Sequence, residues 1–184
     1  MKTLIAYTFP ERQYKEIYQK IKALLGDIEV KPSDWPHISV ALVDTPEKLS
    51  QEQKDEIFDV LRKRPTFKIL GIEILPGGTT PRDYLALKLD VPALFVDHIE
   101  WIGSKYEILR WSEHKPHCSI LSVPKAETEK LREKLPEIQS AVKPHLYPFE
   151  PKYPTAWENY EMTDVTEELL PEWARGVWEA VGAL

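Results

Sequence analysis

Cysteine is nearly absent from this chain. A single one, Cys118, among 184 residues excludes an intramolecular disulfide and a cysteine-rich zinc site. Long apolar runs are missing as well, and none approaches the ~20 residues that cross a bilayer. The opening stretch Met1–Gln13 turns charged too early for a secretory leader and has no small-residue cleavage pattern. Positive charge is in short supply: 24 Lys+Arg face 30 Asp+Glu, a net of −6, which argues against general coating of nucleic acid. Glycine is scarce at seven residues. No Gly-Lys-Ser/Thr completes Gly77-Gly78, so that pair reads as a turn and not as a phosphate cradle. The expectation is a soluble, cytoplasmic protein with no membrane partner, long enough to bury a substantial core.

Proline is abundant instead. Sixteen prolines punctuate the chain into short elements without a low-complexity linker, so residues 1–184 are expected to form one domain. Lys2–Phe9 is rich in β-forming residues. Pro10 suits the first turn of a helix, in which Tyr14, Ile17, Tyr18, Ile21, Leu24 and Leu25 recur at helical spacing and Gly26 supplies a stop. His37–Val43 reads as a strand. Ser50 with Gln53 resembles a capping box, opening a helix that buries Ile57, Phe58, Val60 and Leu61. Phe67–Leu75 and Tyr84–Asp90 flank the turn-rich segment Pro76–Pro81 and predict a hairpin. Pro92–Gly103 predicts a helix, Ile108–Trp111 and His117–Val123 predict strands, and Lys125–Leu135 predicts a charged helix with a solvated face. Short strands are expected around Leu146–Phe149 and Ala156–Met162. A last helix after Pro171 is expected to bury Trp173, Val177 and Val181.

The order strand, helix, strand, helix occurs twice, at a constant offset of 80 residues. Element order alone is weak evidence, because many α+β domains alternate in this way. An offset held across four elements points further, to two similar lobes. Within them stand two related pentapeptides, Pro36-His37-Ile38-Ser39-Val40 and Pro116-His117-Cys118-Ser119-Ile120. The composition of the chain predicts about 0.02 chance occurrences of Pro-His-x-Ser. Each copy begins a predicted strand, where alternate side chains share a face. His37 and Ser39 therefore point one way and Ile38 and Val40 the other, as do His117 and Ser119 against Cys118 and Ile120.

If a pseudo-two-fold axis relates the lobes, two imidazoles and two hydroxyls face each other across a cleft. That equipment suits cleavage of a phosphodiester without a metal. One neutral histidine can take a proton from water or a ribose hydroxyl while the other, as imidazolium, protonates the leaving oxygen. The serines can donate to non-bridging phosphoryl oxygens as charge develops. No His-Glu-x-x-His or carboxylate cluster accompanies the histidines, so neither a metal nor a cofactor is expected. His98, His114 and His145 lack the motif and read as structural. Cys118 reads as a small buried apolar residue.

Paired His-x-Ser motifs on strands about 80 residues apart resemble those of the 2H phosphoesterase superfamily. Its members include 2′,3′-cyclic phosphodiesterases of the RNA-ligase-like and tRNA-splicing kinds, 2′-5′ oligoadenylate phosphodiesterases and phage enzymes that degrade cyclic oligonucleotide signals. The resemblance covers about residues 1–150. It implies that His37 and His117 are the catalytic pair, with Ser39 and Ser119 contacting phosphate. Both hydroxyls are serine where threonine is frequent in the family, and the segment after Phe149 matches nothing in it.

Substrate contacts follow from alternation. Tyr84, Ala86 and Lys88 interleave with the leucines 85, 87 and 89, which must be the buried side. By the offset, Leu4, Ala6 and Thr8 line the cleft while Ile5, Tyr7 and Phe9 pack inward. Thr8, Tyr84 and Lys88 are then positioned to bind substrate, and Trp35 to stack on a base. The expected fold is α+β, two lobes of antiparallel sheet with outer helices around a central cleft. The expected function is metal-independent hydrolysis of a phosphodiester in a small nucleotide: a 2′,3′-cyclic RNA end, or a cyclic or 2′-5′ oligonucleotide. Long duplex nucleic acid is not an expected partner, a monomer is, and a phage-encoded enzyme would work in the host cytoplasm. The competing reading is a non-catalytic protein that sequesters a cyclic nucleotide on the same fold.

Overall fold

The computed structural model describes residues 1–33, 35–111 and 115–158. Eight strands and four α-helices alternate in the order β1 (Lys2–Thr8), α1 (Glu11–Leu25), β2 (Lys31–Pro32), β3 (His37–Asp44), α2 (Gln51–Leu61), β4 (Ile69–Leu75), β5 (Arg82–Leu89), α3 (Ala93–Lys105), β6 (Glu107–Trp111), β7 (His117–Pro124), α4 (Thr128–Val142) and β8 (Pro154–Glu158). Local chemistry accounts for most boundaries. Gly26, at φ 55°, ends α1, a conformation other residues adopt only with strain. Ser50 and Gln53 form the expected capping box of α2. The charged helix runs through Pro136 to Val142 and does not stop at Leu135. Pro136 is exposed, so the amide hydrogen bond it lacks would face water, while Ile138 and Val142 continue the buried stripe.

Two four-stranded sheets form, in the orders β6-β3-β1-β8 and β2-β7-β5-β4, and every pairing is antiparallel. Each sheet takes its two central strands from one half of the chain and both flanking strands from the other. Helices cross over in the same way. Helix α1 packs with α4 beside β7 and β4, and α3 packs with α2 beside β3 and β8. Neither half therefore completes its own sheet, and a single apolar cluster runs through both. The fold is α+β and two-lobed, with the lobes interlocked.

The 80-residue correspondence holds at the level of register. Ala6, Tyr7 and Thr8 lie opposite Ser39, Ile38 and His37, and Ala86, Leu87 and Lys88 lie opposite Ser119, Cys118 and His117. Both ladders slip at the equivalent step, between Ile5 and Ala6 and between Leu85 and Ala86. The bulged residues are Val40 and Ile120. A bulge turns two successive side chains inward and re-aims the strand beyond it, so Val40 and Ala41 are both buried. The bulge carbonyl of Ile120 accepts from Ser33 N–H and the Tyr14 hydroxyl.

Two further expectations change, and others fall outside the described residues. Residues 146–149 form no strand; Phe149 makes one bridge to Phe67, because Pro144, Pro148 and Pro151 remove donors around it. Strand β1 is buried on both faces from Thr3 to Thr8, so Leu4, Ala6 and Thr8 do not line an open surface. The expected helix after Pro171, the end of the strand near Met162 and His114 lie outside the described residues. No helix among the described residues is long and apolar enough to cross a membrane.

Candidate active site

Each Pro-His-x-Ser motif opens a central strand. The proline carbonyl of each accepts a backbone bond from the strand alongside, Phe9 N–H to Pro36 O at 2.8 Å and Leu89 N–H to Pro116 O at 3.1 Å. Along β3 and β7, His37, Ser39, His117 and Ser119 are half-buried while Ile38, Val40, Cys118 and Ile120 are fully buried. The alternation read from sequence thus sets the polar pair of each strand on one face. The facing alanines, Ala6 and Ala86, keep that face clear of bulk beside each serine.

Both imidazoles are held in the same way. His37 Nδ1 lies 2.8 Å from Trp35 O and His117 Nδ1 lies 3.0 Å from Lys115 O. A carbonyl can only accept, so Nδ1 carries the proton in each ring and Nε2 carries the lone pair of the neutral form. The tautomer needed for proton transfer at Nε2 is set by the backbone two residues upstream, twice. The strands carrying the rings lie against one another. The His37 backbone N–H reaches the Cys118 sulfur and acts on its acidity, though burial dominates and pushes that thiol well above its ordinary range. Cys118 is therefore a packed neutral thiol joining the two motifs.

The four remaining candidates separate. Lys88 is exposed and sits opposite His117, on the same face. Tyr84 is half-buried and lies opposite Ser122, further along that face. Thr8, opposite His37, is fully buried, and its Oγ1 accepts from Tyr153 N–H at 3.1 Å. The hydroxyl is used to hold the chain before β8 and has no open side for substrate. Trp35 is only 2% exposed. It stacks on His37, with ring centroids 4.5 Å apart and planes at 29°, and is braced from behind by Trp157 at 5.0 Å. Its partner is the catalytic candidate itself and not a nucleobase.

Sequence reasoning missed Tyr153, Lys152 and Trp157. Lys152 N–H donates to Thr8 O and Thr8 N–H donates to Tyr153 O, so this segment extends the β1–β8 ladder and puts Tyr153 in line with Thr8 and His37. Nothing in a local pattern announces that β8 returns to β1. Among the described residues, no group of three or more His, Cys, Asp or Glu is placed to hold a metal ion.

The described chain superposes on the structure of Usb1 from Kluyveromyces marxianus with a TM-score of 0.55 at 13% identity, covering 84% of this chain and 92% of that one. The structure of the same protein with uridine monophosphate matches at 0.52 and 12%, with the same coverage. The chain shares the α+β fold of these structures. No family model and no curated protein matches the sequence. The likeness thus lies in the arrangement of strands and helices, and at this identity the side chains must make their own case.

Proposed function

We propose that the protein is a phosphodiesterase that hydrolyses a small nucleotide substrate, a 2′,3′-cyclic phosphate end or a cyclic or 2′-5′ oligonucleotide, by two-histidine acid–base catalysis without a metal. The observation that carries this reading is the duplicated tautomer lock: two imidazoles with Nδ1–H on a backbone carbonyl, each beside a serine on the same strand face. A structural histidine has no need for either feature, and still less for both at equivalent positions. The Usb1 structure with uridine monophosphate supports a nucleotide as the ligand of this fold.

In the mechanism, the substrate phosphorus lies between the two motifs. One Nε2 accepts the proton of the attacking water, or of a ribose 2′-hydroxyl where a 3′-5′ bond is cut. The other Nε2, protonated, gives its proton to the leaving oxygen. Ser39 and Ser119 donate to the non-bridging oxygens, and Lys88 adds positive charge at the His117 side. The carbonyls of Trp35 and Lys115 stabilise whichever ring is imidazolium, as the second hydrogen-bond partner of a catalytic histidine does. Because the rings must hold opposite protonation states, the rate has a bell-shaped dependence on pH.

The test is incubation, with EDTA present, against 2′,3′-cyclic mononucleotides, 2′-5′ dinucleotides and cyclic di- and trinucleotides, followed by separation of products. Turnover of at least one, lost in His117→Ala, is the expected result. Tight binding of one of these compounds with none of them cleaved would overturn the enzymatic reading in favour of a sequestering protein.

A further inference from the structure

The net charge of −6 conceals a local basic surface. Beside the chain entering β8 lies an open groove of about 310 Å³ lined by Phe58, Arg62, Arg64, Lys152, Tyr153 and Pro154. Three of these six residues are cations and none is acidic. Arg64 Nη1 donates to Lys152 O, which ties the loop after α2 to the chain entering β8 and gives the groove a fixed wall. Arg62 pairs through Nη2 with Asp59 at 2.7 Å, both side chains being largely exposed, and its other guanidinium donors point elsewhere in its rigid fork. Glu11 is near enough to Tyr153 to act on its phenol, but its carboxylate is held by Lys15 at 2.7 Å.

The groove lies one strand beyond β1 from His37, with the buried Thr8 between them. Tyr153 is hydrogen-bonded to Thr8, and Thr8 is the cross-strand partner of His37. These three positions occupy neighbouring strands, so Tyr153 lies about 10 Å from His37, two strand spacings away. A phosphodiester held between His37 and His117 belongs to a chain whose next phosphates must leave the cleft somewhere. In this groove they meet three cations and a 37% exposed tyrosine ring. A basic track with an aromatic face beside it is how proteins hold single-stranded nucleic acid without reading its sequence.

We propose that the Arg62–Arg64–Lys152 groove, with Tyr153, binds the flanking phosphates and one base of a single-stranded RNA whose reacting phosphodiester occupies the two-histidine cleft. The inference rests on the phosphodiesterase reading for its ligand class and extends it from a mononucleotide-sized site to an oligonucleotide path. It also explains how an acidic protein admits a polyanion, since local potential governs approach to a cleft.

The experiment follows binding of a dye-labelled single-stranded octaribonucleotide by anisotropy across a salt series, in a His117→Ala background that prevents turnover. Arg62→Ala with Lys152→Ala is expected to weaken binding about tenfold, and to flatten the dependence of log Kd on log salt by roughly 0.7 for each phosphate no longer neutralised. Arg64 is left intact because its bond to Lys152 O holds the wall. Lys130→Ala with Arg132→Ala, on exposed positions of α4 in the other lobe, is expected to keep full affinity. Undiminished binding by the Arg62/Lys152 variant, or an equal loss in the α4 variant, would overturn the proposal. Groove-dependent binding by a wild-type protein that cleaves no phosphodiester would instead refute the catalytic reading and leave the groove as an RNA site.

Discussion

The two halves of the candidate site share a backbone and differ in nearly everything around it. Register, bulge, proline carbonyl and Nδ1 lock recur at equivalent positions. Yet position 35 is a buried tryptophan stacked on His37, while position 115 is an exposed lysine that lends His117 only its carbonyl. Position 8 is a buried threonine bonded to Tyr153, while position 88 is an exposed lysine. The difference teaches that the proposed chemistry leans on what the two strands repeat, a ring oriented by a backbone carbonyl and a serine on the same face. Side chains around one ring anchor the returning end of the chain, and those around the other leave two lysines, Lys88 and Lys115, exposed. His37 sits in a packed wall and His117 on an open one.

The largest test asks whether the rings are equal in chemistry despite this asymmetry. His37→Ala and His117→Ala are each expected to lower kcat by about 10²–10⁴, the range for loss of a general acid or base, with ligand binding retained. The two should part in stability. His37→Ala removes the ring against which Trp35 stacks and lowers the urea midpoint, whereas His117→Ala leaves it near the wild-type value. A rate loss confined to one of them would break the symmetry claimed for the mechanism.

Trp35 and Lys115 carry the comparison into folding. Trp35→Ala is expected to cost about 3–5 kcal/mol, as truncation of a buried aromatic does, and Lys115→Ala to stay within ~0.5 kcal/mol; equilibrium denaturation reads both. A smaller step separates Thr8 from Lys88. Thr8→Val keeps the volume but leaves Tyr153 N–H without its acceptor, for about 1–3 kcal/mol of stability. Lys88→Met is expected to spare stability and raise KM about tenfold, the worth of one charge-assisted hydrogen bond of ~1.5 kcal/mol. An unchanged KM in Lys88→Met would remove Lys88 from the substrate contacts.

The contrast also marks how far the sequence could be read. Motif, strand alternation, capping box and the 80-residue offset are local patterns, and each has a direct physical consequence for the backbone. That backbone consequence is what the two halves share, so the paired His-x-Ser face was legible. What covers each strand was not. Thr8 lies on the face that alternation assigns to the cleft, but burial of that face depends on a strand 145 residues later folding back onto β1. Trp35 lies beside the motif, yet its role is set by Trp157 behind it. The offset itself misleads here, since it maps Thr8 onto Lys88 and lends one half the openness of the other. The interlocking of the sheets was hidden for the same reason: pairing partners of flanking strands are tertiary facts without a local signature.

The smallest expected effect concerns a polar pair that only one half possesses. Tyr7 on β1 hydrogen-bonds through its hydroxyl to His98 Nδ1 on α3, both buried, while the positions offset by 80 are Leu87 and Tyr18. Burial pushes the Tyr7 phenol far above its ordinary range, so it stays protonated and donates to Nδ1. Desolvation also lowers the His98 pKa below 6.5; Asp97 pulls it up and Lys63 pushes it further down, with less force than burial. The sign follows from linkage. An unfolded His98 takes up its proton near pH 6.5 while the folded one stays neutral, so the unfolded state binds more protons and stability falls with pH below that value. Above pH 6.5 the contribution is present in full. It is lost progressively as pH drops from 6.5 through the lower folded value. Urea denaturation at pH 7.5 and pH 5.5 should therefore show a decline that His98→Leu reduces, while a matching substitution of Tyr18 in the other half, Tyr18→Phe, leaves it unchanged. An equal decline in the His98→Leu variant would assign the pH sensitivity to groups outside this pair, and the two halves would then differ at their surfaces alone.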